Sequence, residues 1–230
     1  MPRPPRIATG GIVYHVLNRA NGRITLFETP ADYEAFVKVC MEANERVPMR
    51  VLSYCVMPNH WHFVLWPLTD GDLSEFVGWL TLTHTQRWHV FHGTVGTGHI
   101  YQGRFKSFPV QEDGHFLTVC RYVERNPLRA GLVDRAEKWP WSSLSHQGVA
   151  GRDRLGLTVA DWPVARPANW TSWVNEALTE AELNAVRLSI KCGAPYGAGD
   201  WTTRTAERLG LDVTPRPRGR PRKKVSGTFF

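Results

Sequence analysis

At 230 residues the chain is long enough for one substantial core, or for one domain with an appendage. Hydrophobic residues make up 42%. No apolar run approaches the ~18–20 residues that span a bilayer, and Met-Pro-Arg-Pro-Pro-Arg is not followed by an apolar signal region, so a membrane protein is excluded and a soluble, unexported one expected. The net charge of +7 is concentrated in one place, since Arg216, Arg218, Arg220, Arg222, Lys223 and Lys224 fall within nine positions that hold no acid. Prolines between these cations predict an extended, disordered tail suited to a phosphate track.

In chain order, Gly11 to Arg19 reads as a strand by its alternation of Ile12, Tyr14 and Val16 against Val13, His15 and Leu17. Thr29-Pro30-Ala31-Asp32 supplies an N-cap, a proline at the first helical position and a capping-box acid. Tyr33, Phe36, Val37, Cys40 and Met41 then recur at helical spacing to about Arg46. Val51 to Met57 is a second strand, and Pro58-Asn59 turns it into the run His60-Trp61-His62-Phe63-Val64-Leu65-Trp66, which predicts an antiparallel hairpin at the sheet centre. Asp70-Gly71-Asp72 caps a helix that buries Leu73, Phe76, Val77 and Leu80 and leaves His84 and Arg87 exposed. Phe91 to Gly103 is a long glycine-rich loop of the kind that is often functional. Arg104 to Gln111 reads as a strand, and Asp113 caps a helix whose Phe116, Cys120 and Val123 pack inward while Tyr122, Thr118 and Asn126 share another side. Beyond Ala130 come tryptophan- and proline-rich turns, a helix capped by Thr179 with Glu182, and a short one from Asp200 to Leu209. The four cysteines, at 40, 55, 120 and 192, show no short-range pairing, so neither a zinc knuckle nor a disulfide framework is indicated.

On a strand His60 and His62 share one face with Val64 and Trp66, so two imidazoles about 6–7 Å apart at the backbone can converge on one ion. Tyr122 and Asn126 are spaced i,i+4 and point the same way on a helix. Pro127 ends that helix, which makes Asn126 either its cap or a third, harder ligand beside the imidazoles. Such a nitrogen and oxygen set does not itself choose among Mg²⁺, Mn²⁺ and Zn²⁺. A tyrosine beside that ion is a candidate nucleophile toward a phosphodiester.

The runs Met57-Pro58-Asn59-His60-Trp61-His62, Gln102-Gly103-Arg104-Phe105 and Tyr122-Val123-Glu124-Arg125-Asn126-Pro127-Leu128-Arg129-Ala130-Gly131-Leu132-Val133 together resemble the single-tyrosine HUH transposases, specifically the REP-associated tyrosine transposases. The resemblance implies an α+β domain, a ferredoxin-like antiparallel sheet with helices on one face, followed by a C-terminal helical extension and the basic tail. It divides the chain into a catalytic domain at 1–135, an accessory segment at 136–211 and a tail at 212–230. It also implies Tyr122 as nucleophile, His60, His62 and Asn126 as ligands of Mg²⁺ or Mn²⁺, and Arg104 and the tail cations as DNA contacts. The implied activity is cleavage of single-stranded DNA near a palindromic hairpin through a 5′-phosphotyrosine, by a cytoplasmic, nucleoid-associated monomer or homodimer. A non-catalytic hairpin-binding relative is the alternative.

Overall fold

The computed structural model describes residues 8–146 and 159–211. The alternating runs form four strands, β1 (Val13–Arg19), β2 (Met49–Met57), β3 (His60–Pro67) and β4 (Lys106–Val110), which pair antiparallel in the spatial order β2-β3-β1-β4. Helix α1 (Pro30–Arg46) connects β1 to β2, and α2 (Asp72–Phe91) connects β3 to β4. This is the expected ferredoxin-like sheet. Helix α1 begins where its cap predicts, with the Asp32 carboxylate accepting from the backbone N–H of Thr29 at 2.8 Å and of Glu28 at 2.9 Å.

Strand alternation divides the core into two layers. Trp61, Phe63 and Leu65 of β3 pack with Phe36 of α1 and Phe76 and Leu80 of α2 on one face. That is the helix-covered face the sequence predicts. The other face is covered too, because α3 (Gly114–Glu124) lays Phe116, Val119, Cys120 and Val123 against Val64, Phe108 and Val110. A short turn of helix, α4 (Asn126–Arg129), follows α3. After it come α5 (Trp170–Asn175), α6 (Glu180–Cys192) and α7 (Gly199–Arg208), and Trp170, Val174, Leu178 and Val186 of that region join the same layer as α3.

The tryptophan-rich turns have a definite task at the sheet edges. The Val56 N–H donates to the Trp141 carbonyl at 2.8 Å, the Ala160 N–H to Val51 at 2.7 Å, and the Trp139 and Trp162 indoles to the carbonyls of Val56 and Leu52 at 2.9 and 2.7 Å. These bonds occupy the outer edge of β2, which would otherwise offer unpaired backbone to another strand. Tyr196 does the same beside β4, donating its N–H to Pro109 and accepting from Gln111.

Several sequence expectations are corrected. The hairpin is present, yet β2 lies at the sheet edge, because β1 takes the place beside β3. His84 is buried rather than exposed: the glycine-rich loop carries Tyr101 inward, where its hydroxyl hydrogen-bonds His84 Nδ1 at 2.8 Å and accepts from the Trp61 indole at 3.0 Å. The last strand starts at Lys106 and leaves Arg104 in the loop before it. Pro127 does not stop the helical course, since it sits in the first turn of α4 where its missing N–H is tolerated. Cys40, Cys55 and Cys120 are buried thiols and Cys192 is an exposed one.

One buried carboxyl joins the layers around α3. Glu124 is fully buried and accepts from Ser143 Oγ at 2.6 Å, Ser53 Oγ at 3.1 Å and the Trp170 indole at 2.7 Å, so it ties α3 to β2, to the turn at 143 and to α5. Burial pushes its carboxyl above the usual range, opposed by those donors. Glu124→Ala strands the buried Trp170 indole, while Ser53 and Ser143 keep each other and the Tyr54 carbonyl, and is expected to lower the unfolding free energy by about 2 kcal/mol. A denaturant melt showing a loss below about 1 kcal/mol contradicts that role.

Candidate active site

The register of β1, β3 and β4 brings the functional side chains together. Residues directly opposite in an antiparallel pair share a face, so His60 and His62 of β3 lie on the face that carries Arg19, Leu17 and His15 of β1 and Lys106 of β4. The hydrophobic residues between the histidines are held in the opposite layer by α1 and α2, which keeps both imidazoles on the α3 side. Their ring centroids are 5.0 Å apart.

Each imidazole is oriented by a second group. His60 Nδ1 bonds the Asn59 side-chain carbonyl at 2.6 Å; a carbonyl can only accept, so Nδ1 carries the proton and Nε2 keeps its lone pair. His62 Nδ1 bonds Nε2 of His15 at 2.9 Å, and when His62 is the donor its Nε2 is likewise left with a lone pair. Burial pushes His60 down to about 3 and His62 well below the usual histidine range, with Arg19 and Arg129 lowering both further. Both rings are therefore neutral at physiological pH.

Helix α3 sets Tyr122 above this pair. Its ring lies 5.8 Å from His62 and 6.3 Å from His15, both edge to face, and is buried to 7% exposure. Tyr122 faces the histidines of its own chain. The Arg129 guanidinium lies 4.8 Å over the ring and donates to Asn126 Oδ1. The Asn126 amide nitrogen in turn donates to the Tyr122 carbonyl at 3.4 Å, so this buried side chain partly caps α3, one of its two anticipated roles. Among the described residues no three His, Cys, Asp or Glu side chains gather as a metal site. The face offers two neutral imidazoles, and Asn126 Oδ1 keeps a second lone pair beside the bond from Arg129; nitrogen and oxygen donors of these kinds fit a divalent cation. Arg104 is exposed in the loop that runs along the end of β1, where the Gln102 N–H donates to the Arg19 carbonyl at 2.9 Å. The cations at 216, 218, 220, 222, 223 and 224 lie outside the described residues.

Sequence reasoning missed His15, Asn59, Arg19 and Arg129 as parts of this site. Only the one-strand period hinted at them, placing His15 and Arg19 on a common face of β1, but nothing local says which strand β1 pairs with.

A ferredoxin-like sheet with a histidine pair under a helix-borne tyrosine defines a class of proteins, and residues 8–126 match the family described as "Transposase IS200 like". The chain belongs to that family of IS200-like transposases. A Haemophilus influenzae protein named as a REP-associated tyrosine transposase is 23% identical over 113 residues, 46% of this chain and 64% of that protein. The chain thus matches somewhat less than two thirds of that relative's length. A solved structure, described as a REP-associated tyrosine transposase bound to a REP hairpin, superposes with a TM-score of 0.53 at 19% identity, covering 70% of this chain and 94% of that one. It shows that the fold is shared. No helix among the described residues is long and apolar enough to cross a membrane.

The buried neutral histidines make stability depend on pH in a definite direction. His15, His60 and His84 are each pushed down to about 3 by burial, against about 6.5 when unfolded. Between those values the unfolded chain binds more protons, so stability is complete above about pH 6.5 and is lost as pH falls, by about 1.4 kcal/mol per pH unit for each group. Denaturant midpoints should drop steeply from pH 7 to pH 5, and less steeply in His84→Gln. A midpoint unchanged over that range contradicts neutral burial.

Proposed function

We propose that the chain is a metal-dependent endonuclease and strand transferase for single-stranded DNA, acting beside palindromic hairpins with Tyr122 as the nucleophile. The observation that carries this reading is the Tyr122 ring at 5.8 Å from His62, on the sheet face that both histidines share. The names of the two relatives support the substrate class, since one is bound to a REP hairpin. In the reaction the Tyr122 phenol oxygen attacks phosphorus, the bond from phosphorus to the 3′-oxygen breaks, and the phenolic proton ends on that oxygen as a hydroxyl. The 5′-phosphate remains on tyrosine. Because a phosphotyrosine conserves the energy of the broken ester, the 3′-hydroxyl of another strand can reverse the step, which a water-based nuclease does not allow.

His60, His62 and Asn126 would hold Mg²⁺ or Mn²⁺, and when bound that ion supplies positive charge toward the phosphate oxygens. The protein's own groups prepare the site. Asn59 holds the His60 ring in the tautomer that leaves Nε2 available, His15 does the same for His62 when it accepts from Nδ1, and the low proton affinity of the rings keeps them neutral across the working range. Arg104 and the tail cations add affinity for phosphates that does not depend on sequence. The Tyr122 ring beside His62 of the same chain supports a site built within one chain.

Incubated with Mn²⁺ and a labelled strand carrying the hairpin, the wild-type protein should retain label through denaturing electrophoresis. Tyr122→Phe should retain none while still shifting the hairpin in a native gel, and His60→Ala should reduce the adduct by roughly 10²-fold or more at fixed metal. An adduct on another residue, or undiminished cleavage by Tyr122→Phe, overturns the reading.

A further inference from the structure

The geometry points to a two-arginine clamp, Arg19 and Arg129, that holds the non-bridging oxygens of the scissile phosphodiester between Tyr122 and the histidine pair. Resting on the nuclease reading above, it assigns a binding role to two residues from separate elements. Arg19 ends β1 directly opposite His60, and its Nε is buried with no hydrogen-bond partner. Arg129 comes from α4, lies 4.8 Å over the Tyr122 ring and uses one nitrogen on Asn126. It also lines a pocket of about 140 Å³ with Tyr122, Arg125, Leu178, Leu183 and one carboxylate, Glu180. The two guanidiniums therefore approach the site from the sheet and from the helix.

The other arginines of this region are committed to structure. Arg121 donates to the carbonyls of Trp173 and Glu176, and Arg125 donates to those of Val174 and Asn175, so both cap the C-terminal end of α5. Neither Arg19 nor Arg129 forms an ion pair with a described carboxylate. Lys106, exposed on the same face one strand beyond Leu17, adds a third cation. So much unpaired positive charge around a small, partly buried site is unfavourable unless an anion enters, and a divalent ion on the histidines makes that need greater. A phosphodiester supplies the anion, and its two non-bridging oxygens match planar guanidinium donors. Charge that develops on those oxygens in the transition state is stabilised by donors already in place.

The test uses Arg19→Gln and Arg129→Gln, singly and together, after thermal melts establish that each variant is folded. Single-turnover cleavage of the hairpin strand should fall roughly 10²-fold for either change, with part of the rate returning in Arg129→Lys. Binding is measured separately in the Tyr122→Phe background, where no chemistry occurs. There the double arginine change should lower the slope of log affinity against log salt by about 0.7, the share of one phosphate on a single strand. An unchanged slope with undiminished cleavage overturns the clamp. If the wild-type protein forms no adduct, the nuclease reading fails, yet the slope still decides the clamp: a drop of about 0.7 upholds it and no drop refutes it.

Discussion

The site depends on which way β3 faces. Trp61, Phe63 and Leu65 are almost completely buried against α1 and α2, and each contributes about 1.5–3 kcal/mol by leaving water. A slip of one residue would reverse the strand, moving those three side chains into the layer under α3 and driving both histidines into the apolar layer under α1 and α2. The energy that fixes the register therefore resides on the face where no chemistry takes place. His60 and His62 are held in position by their neighbours' hydrophobicity, and the bonds from Asn59 and His15 need only set their rotation.

The second requirement is that α3 sit firmly on the histidine face, since a nucleophile displaced by 1 Å loses much of its advantage. An 11-residue helix has little stability of its own. Here the C-terminal extension supplies it: Glu124 reaches the Trp170 indole, Arg121 and Arg125 bond the end of α5, and Leu178 and Val186 fill the layer beneath. The accessory segment thus braces the helix that carries Tyr122, and its tryptophans close the edge of β2. An account that removes it as a dispensable appendage would also remove the brace.

The strands, the capped helices and the His-Trp-His spacing were legible because each rests on a local period or a cap within four residues, as with Thr29 and Asp32 of α1. Tyr122 and Asn126 were legible as an i,i+4 pair to which the resemblance to known transposases lent roles, and the helix that bears Tyr122 forms where Asp113 caps it. What could not be read is non-local. The pairing of β1 with β3, which gives His62 its partner His15, joins residues 47 positions apart. His84 was misjudged because its helical position borders the buried stripe, and only Tyr101 arriving from a glycine-rich loop settles it as buried. Arg129 is another such case: four arginines follow one another between 121 and 135 with similar local surroundings, and only their partners separate those that bond the end of α5 from the one that lies over Tyr122.

The central claim is that one sheet face holds the histidines, the tyrosine and the scissile phosphate together. It is tested most directly by a crystal structure of the Tyr122→Phe variant with an uncleaved hairpin strand and Mn²⁺. The account predicts an anomalous peak bonded to Nε2 of both His60 and His62 at about 2.0–2.3 Å, the spacing usual for a transition-metal ion on imidazole, with a backbone phosphate between that ion and the ring at position 122. Manganese bound elsewhere, or a strand that crosses the protein without a phosphate at that ring, would contradict it.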